Sequence, residues 1–195
     1  MKRLLSSNLR VTRRLSRYRG AKGRSTVQLI AEDGFSDLLQ SCEREAFHLE
    51  VLDSYAEPHE YEPLRRFLDG ELDDYTWFQP WADLIRQTRG RGVAVTRTRI
   101  VSVPHTDYTR FCMAVAEFNT QAGEDIRYLP RHLAGDVPPD DFWLFDDQLV
   151  IFSAFGASGA WSGAVTTDPN IAAYCRGIKE KFWPLATPYS EYVTT

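Results

Sequence analysis

Along the chain, apolar residues switch between a spacing of two and a spacing of three or four, and that switching sets the order of elements. Phe35, Leu38, Leu39 and Cys42 recur at helical spacing, with Ser36 placed to cap a short helix after Gly34. Phe47, Leu49 and Val51 alternate with His48, Glu50 and Leu52, the period of a half-buried strand that ends near Tyr55. Pro58 and Pro63 leave room only for a short helix around Leu64, Phe67 and Leu68, closed by Gly70. A longer helix follows from Trp77, Trp81, Leu84, Ile85 and Thr88, capped by Asp73 or Asp74 and ended by Gly90-Arg91-Gly92. Val93, Val95, Arg97, Arg99 and Val101 then share one face of a strand, and Ala94, Thr96, Thr98 and Ile100 the other. A helix bearing Phe111, Val115 and Phe118 runs towards Gly123, and Ile126 to Leu129 make a further short strand.

The last third predicts a β-hairpin, Asp141 to Phe145 and Leu149 to Phe152, around the polar turn Asp146-Asp147-Gln148, with Trp161 to Val165 as a third strand. Asp168-Pro169 opens a terminal helix whose stripe is Ile171, Tyr174, Cys175, Ile178 and Phe182. These elements predict an α/β fold of mixed α+β type, a central mixed sheet of about five to seven strands with flanking helices. At 195 residues and without an internal repeat or linker, residues 31–195 form a single α/β domain.

Charge divides the chain differently. Residues 1–24 carry nine Lys or Arg and no acid, among them Arg10, Arg13, Arg14, Arg17 and Arg19. Residues 1–30 are therefore read as a basic, loosely ordered N-terminal arm, and the five arginines as a nucleic-acid contact. Of the chain's 23 basic and 27 acidic residues, the rest holds 14 and 27, a net of −13 that repels polyanions. The three cysteines Cys42, Cys112 and Cys175 lie far apart, with no metal-ligand spacing, and read as reduced thiols. Neither a membrane span nor a signal-peptide pattern occurs, so the expected location is cytoplasmic, with no membrane partner.

The chain lacks GxGxxG after a strand, GxxxxGK[ST], HExxH and GxSxG, and His48, His59, His105 and His132 do not pair at zinc spacing. No metal and no cofactor is expected. Arg97 and Arg99 project the same way from one strand and form either an anion grip or a salt-bridge ladder with acidic neighbours. His48 and Glu50 share a face, offering an imidazole and a carboxylate to a pocket or lining a solvated surface. Glu124, Asp125 and Arg127 join this candidate site if they converge with Arg97, and Trp143 completes it. Trp77, Phe78 and Trp81 cannot all face one stripe and provide a candidate partner-binding patch, with helix-to-sheet packing as the alternative. Gly156-Ala157-Ser158-Gly159 reads as a turn rather than a phosphate cradle, and Asp140-Asp141 and Asp146-Asp147 as turn residues rather than metal ligands.

Taken in order, Phe47-His48-Leu49-Glu50, Asp53-Ser54-Tyr55, Trp77-Phe78-Gln79-Pro80-Trp81, Arg97 to Val101, Ala122 to Arg127 and Asp141 to Asp147 carry a resemblance. Over roughly residues 35–192 the chain resembles an actinobacterial domain family of unknown function, often encoded beside Xre-type helix-turn-helix regulators. The order of elements is also similar to half of a phospholipase D-like domain. That superfamily uses a His-x-Lys pair, which no histidine here forms; Asp141-Phe142-Trp143 stands where the pair is expected. The acidic body, the missing catalytic motifs and the regulatory neighbourhood that the resemblance implies together point to a non-catalytic regulatory or interaction module that binds a protein partner through its acidic and aromatic surface, a helix-turn-helix regulator among the candidates. The alternatives are a transferase or hydrolase on an anionic substrate, with Arg97 and Arg99 on the anion and His48 or Glu124 as acid or base, and nucleic-acid binding through the arm.

Overall fold

The computed structural model describes residues 27–30, 32–55, 57–155 and 161–194. Arg10, Arg13, Arg14, Arg17, Arg19 and the 156–159 loop lie outside the described residues.

Eight strands form one mixed sheet: β1 Gln28–Ile30, β2 Glu45–Glu50, β3 Ala94–Val101, β4 Asp125–Pro130, β5 Phe142–Phe145, β6 Leu149–Phe155, β7 Trp161–Thr166 and β8 Thr187–Pro188. Their spatial order is β1-β7-β6-β5-β2-β3-β4-β8. The central strands β2, β3 and β4 run parallel, and every other pairing is antiparallel. The sheet is thus as expected for its class, with two short strands added at the edges. One of them, β1, falls inside the segment read as an arm, yet it pairs with β7 from Gln28↔Val165 to Ile30↔Gly163.

Helices cover both faces, because the central strands are apolar in both registers. On one face lie α1 Glu32–Ser41, α2 Tyr61–Leu68, α3 Gln79–Gly90 and α4 Asp107–Ala122; their Leu38, Leu39, Ala82, Ile85, Phe111 and Val115 meet Ala46, Val95, Phe145 and Ile151 of the sheet. On the other face α6, Pro169–Phe182, packs Ala172, Cys175, Ile178 and Phe182 against Phe47, Leu49, Phe142, Leu144 and Val150. Two single-turn helices, α5 Arg131–Ala134 and α7 Tyr189–Tyr192, complete the set.

Local signals explain most boundaries. The Asp168 carboxylate accepts from the Asn170 and Ile171 N–H groups and caps α6, where Pro169 needs no donor. Thr106 caps α4 by accepting from Thr109 N–H. Asp146 and Asp147 take positive φ in the β5–β6 turn, and the Asp146 carboxylate accepts from the Glu43, Arg44 and Glu45 N–H groups while Asp147 meets Lys179.

Three details differ from the expectation. Helix α1 starts at Glu32, so Ser36 is not its cap; Gly34 sits in the first turn, where a Cβ would stand 3.1 Å from Ile30. Before α3 a 3₁₀ turn, Thr76–Phe78, intervenes because Pro80 fixes the helix start; Tyr75 stands at its N-cap position, and the Asp74 carboxylate accepts from Thr76 N–H just ahead of it. On α6, Tyr174 points to solvent, and Ala172 takes its place in the buried stripe.

At Gly163 a Cβ would lie 2.6 Å from Ile151 Cγ2 and 2.8 Å from the Trp161 ring. Gly163→Ala is expected to cost about 1–3 kcal/mol through overpacking, measured by urea unfolding.

Candidate functional site

The parallel register brings side chains from separate strands into two rows across the sheet. Trp143, His48, Arg97 and Ile126 stand opposite one another in β5, β2, β3 and β4, and beside them Glu50, Arg99 and Tyr128 do the same. Both rows face α1, α3 and α4, and helix and sheet separate there around a cavity of about 340 Å³. It opens beyond the carboxyl ends of β2 and β3, where the segment with Tyr55, Glu57, His59 and Glu60 passes over it.

Its floor is a closed charge cluster. Arg97 donates from Nη1 to Glu50 Oε1 at 2.5 Å and from Nε to Glu124 Oε1 at 2.7 Å, and Arg99 pairs through Nε with Glu50. Arg97 is 7%, Glu50 8% and Glu124 1% exposed. Burial alone raises the Glu50 carboxyl, but the Arg97 and Arg99 guanidinium groups outweigh it and hold the pKa at about 2. Glu124 reaches the cluster because Gly123, at φ +106°, ends α4 in the left-handed region and returns the chain under the sheet; Glu124 N–H bonds Asn119 C=O.

His48 stacks on Trp143, ring centroids 4.2 Å apart and 14° from parallel. Burial drives its pKa well below the usual value, the Glu50 carboxylate opposing and Arg97 and Arg99 reinforcing, so the ring is neutral at physiological pH. Its Nδ1 lies 3.4 Å from Glu50 Oε1 without a hydrogen bond. Asp141, 5% exposed, accepts from Val51 N–H at 2.7 Å. Burial raises its carboxyl to about 6; the Tyr55 hydroxyl opposes this and Glu50 adds to it.

The walls are aromatic. Phe35 lies edge-on to Trp143 at 5.1 Å and to Trp161 at 5.7 Å, and Trp77 stacks on Phe111 at 6.1 Å. Trp81 is fixed by its Nε1, which donates to Asn119 Oδ1 at 3.0 Å. The Arg97 guanidinium sits 5.9 Å from both the Trp81 and the Trp143 ring centroids.

Of the residues singled out from the sequence, His48, Glu50, Arg97, Arg99 and Trp143 therefore line one cavity, with Glu124 directly beneath. Asp125 and Arg127 do not join them. Strand alternation turns both to the opposite face, where Arg127 pairs with Asp125 at 3.3 Å and lies 3.9 Å over the Trp183 ring. The aromatic trio is also placed inward: Phe78 is buried in the core, and Trp77 and Trp81 line the cavity, because α3 leans its first turn over the sheet. Sequence reasoning missed Asp141, Tyr55, Tyr108 and Asn119 as site residues. The Asp141-x-Trp143 spacing was a usable signal, since both side chains had to share a strand face.

Among the described residues no group of three His, Cys, Asp or Glu gathers as a metal site, and no helix is long and apolar enough to cross a membrane. All three cysteines are free and buried, and burial raises the Cys112 thiol at the cavity wall, away from thiolate chemistry.

Fold and site define a mixed α/β domain with an aromatic-walled cavity over a charge-neutralised floor. The chain belongs to the family described as "Domain of unknown function (DUF6879)", whose model matches residues 33–194. Among solved structures it is similar to NucT from Helicobacter pylori, with TM-score 0.53 at 9% identity over 84% of this chain and 98% of that one. TrmBL2, an archaeal chromatin protein with a novel mode of DNA binding, gives 0.47 at 12% identity over 95% of this chain. Phosphatidylserine synthase of Haemophilus influenzae Rd KW20 gives 0.40 at 11% identity over 80% of this chain. This chain spans 64% of the TrmBL2 chain and 37% of the synthase. No curated protein matches.

Proposed function

We propose that this domain is a non-catalytic regulatory module that holds a small ligand in the cavity and relays its presence to a protein partner. The observation that carries the reading is the closure of the floor. Arg97 and Arg99, the two groups placed to grip a phosphate, are already neutralised by Glu50 and Glu124, and no lysine occurs among the described lining residues. Asp141 and Trp143 stand where the phospholipase D-like pair of histidine and lysine is expected, which removes both the nucleophile and its phosphate contact from those positions. A cavity with largely apolar walls and a few fixed polar groups is the usual form of a small-molecule site. The partner class comes from the family resemblance, a helix-turn-helix regulator in the cytoplasm.

One observation favours an enzyme instead. Asp141, raised to about 6, stands in the same cavity as the ionised Glu50 and the neutral His48, and environments that separate titratable groups in this way serve acid–base chemistry. The two readings separate in one assay. The full chain should leave bis(p-nitrophenyl) phosphate unhydrolysed above the buffer rate between about pH 5 and pH 8. Turnover that disappears in both His48→Ala and Asp141→Asn would overturn the regulatory reading and establish the enzyme.

A further inference from the structure

We propose that the ligand of this cavity carries a compact organic cation, an amine or a quaternary ammonium group, seated between the tryptophan walls and the carboxylates of Asp141 and Glu60. This rests on the reading of the cavity as a ligand site, and it reverses the sign of charge that Arg97 and Arg99 suggest in the sequence.

Charge bookkeeping over the lining gives the first reason. Arg97 and Arg99 balance Glu50 and Glu124. Beyond that balanced floor the lining adds Glu57, which His59 faces at 3.7 Å, and Asp141 and Glu60, which accept hydrogen bonds from neutral donors, the Val51 N–H and the Tyr108 hydroxyl, and form no ion pair with Lys or Arg among the described residues. His48 contributes no positive charge, being held neutral by burial. The remaining field is negative, and an anion entering it would meet the Asp141 and Glu60 carboxylates and no unbalanced Lys or Arg among the described lining residues.

The walls give the second reason. Trp81 and Trp143 stand 6.1 Å apart at 65°, with Phe35 against both, so aromatic rings bound much of the space. Ring faces carry the negative end of the aromatic quadrupole and attract cations most where water is excluded. The protein itself uses this property, resting the Arg97 guanidinium against the same two rings.

The third reason is a buried polar atom without a partner. His48 is 8% exposed, lines the cavity, and its Nδ1 has no hydrogen bond among the described residues. A neutral imidazole left so carries a desolvation penalty that a ligand N–H or O–H relieves.

The groups facing Asp141 also fix how binding depends on pH. They are Glu50 and His48 from β2, Tyr55 from the following segment and Arg99 from β3. Tyr55 stays protonated throughout, since burial raises its pKa, and Arg99 and Glu50 keep their charges. Among these four groups and Asp141 itself, only Asp141 changes charge near pH 6, so its attraction for a cation should rise as the pH passes upward through that value.

The test uses the full chain and isothermal titration calorimetry, with choline, the uncharged carbon isostere 3,3-dimethylbutan-1-ol, tryptamine, indole-3-acetate and inorganic phosphate as titrants. At least one of choline and tryptamine is expected to saturate the signal, and its neutral or anionic counterpart to bind about tenfold more weakly or not at all, as for the loss of one charge-assisted contact. Lowering the pH from about 7.5 to about 5 should weaken the cation several-fold in the wild type and not in Asp141→Asn. Glu60→Gln, at the cavity mouth, should also weaken it and keeps the comparison open if the first variant folds poorly. Tighter binding of indole-3-acetate or phosphate would overturn the cationic ligand while leaving the cavity a ligand site. Failure of both cations to bind would likewise overturn it, whereas phosphodiester turnover would remove the regulatory reading itself.

Discussion

Glu50→Gln is expected to destabilise the domain by about 3–5 kcal/mol, the usual consequence of removing one partner from a buried ion cluster. Among the described residues Glu50 is the one carboxylate shared by Arg97 and Arg99, and all three side chains are nine-tenths buried or nearly so. A glutamine keeps the volume and one oxygen but leaves two guanidinium groups over a single remaining acid, Glu124. Urea unfolding should show a lower midpoint with an unchanged slope. Acid provides an independent check. With the Glu50 pKa lowered from 4.5 to about 2, the cluster's contribution is complete above pH 4.5 and is lost as the pH falls towards 2. That loss is worth about 3 kcal/mol at roughly 1.4 kcal/mol per pH unit, and it should be absent in Glu50→Gln. Arg97→Met should be comparably harmful because it strands Glu124, while adding Glu124→Leu should recover much of the loss.

Asp141→Asn should act in the opposite direction. A carboxyl whose pKa rises from 3.8 to about 6 on folding binds its proton more tightly in the native state, so stability falls as the pH rises through that interval. Asparagine keeps an oxygen for the Val51 N–H and never ionises. Above about pH 7 the variant should be more stable than the wild type by up to about 3 kcal/mol, and below about pH 4 the two should coincide. Thermal unfolding across pH 4 to 8 measures this. Between them, Glu50 and Asp141 place their joint contribution at its maximum near about pH 4–5, below the range where most proteins are most stable.

Much of this was legible in the chain. Period-two alternation put Arg97 with Arg99, and His48 with Glu50, on common strand faces, and register did the rest once β2 and β3 paired in parallel. Which face they occupy was not legible. Charges at every second position read as a solvated face, and only the helices packed over both sides reverse that meaning. Glu124 was hidden for a different reason, because its position depends on the turn at Gly123 and not on the periodicity of either flanking element. Asp141 resembled an ordinary turn aspartate; what distinguishes it is the Val51 N–H that reaches it from 90 residues away. Conversely, Asp125 and Arg127 looked equivalent to Arg97 and Arg99, but the one-residue offset of β4 against β3 sends them to the α6 side of the sheet.

The insertion of β5 beside β2 has a consequence for how the chain comes to work. Strand β2 is made early, and its partner β3 follows within about fifty residues, but its other neighbour is Phe142–Phe145. Until that hairpin is synthesised and docks, the flank of β2 carrying His48 and Glu50 is an open sheet edge with unpaired amides, and Trp143 is not yet under the imidazole. Long-range closure of this kind is slow and is completed late. The pocket is therefore incomplete until the chain has been made at least as far as Trp161, its last lining residue. A nascent or clipped chain lacking the final third has the residues of the parallel strands but not Asp141, Trp143, Ser153 or Trp161 of the cavity lining.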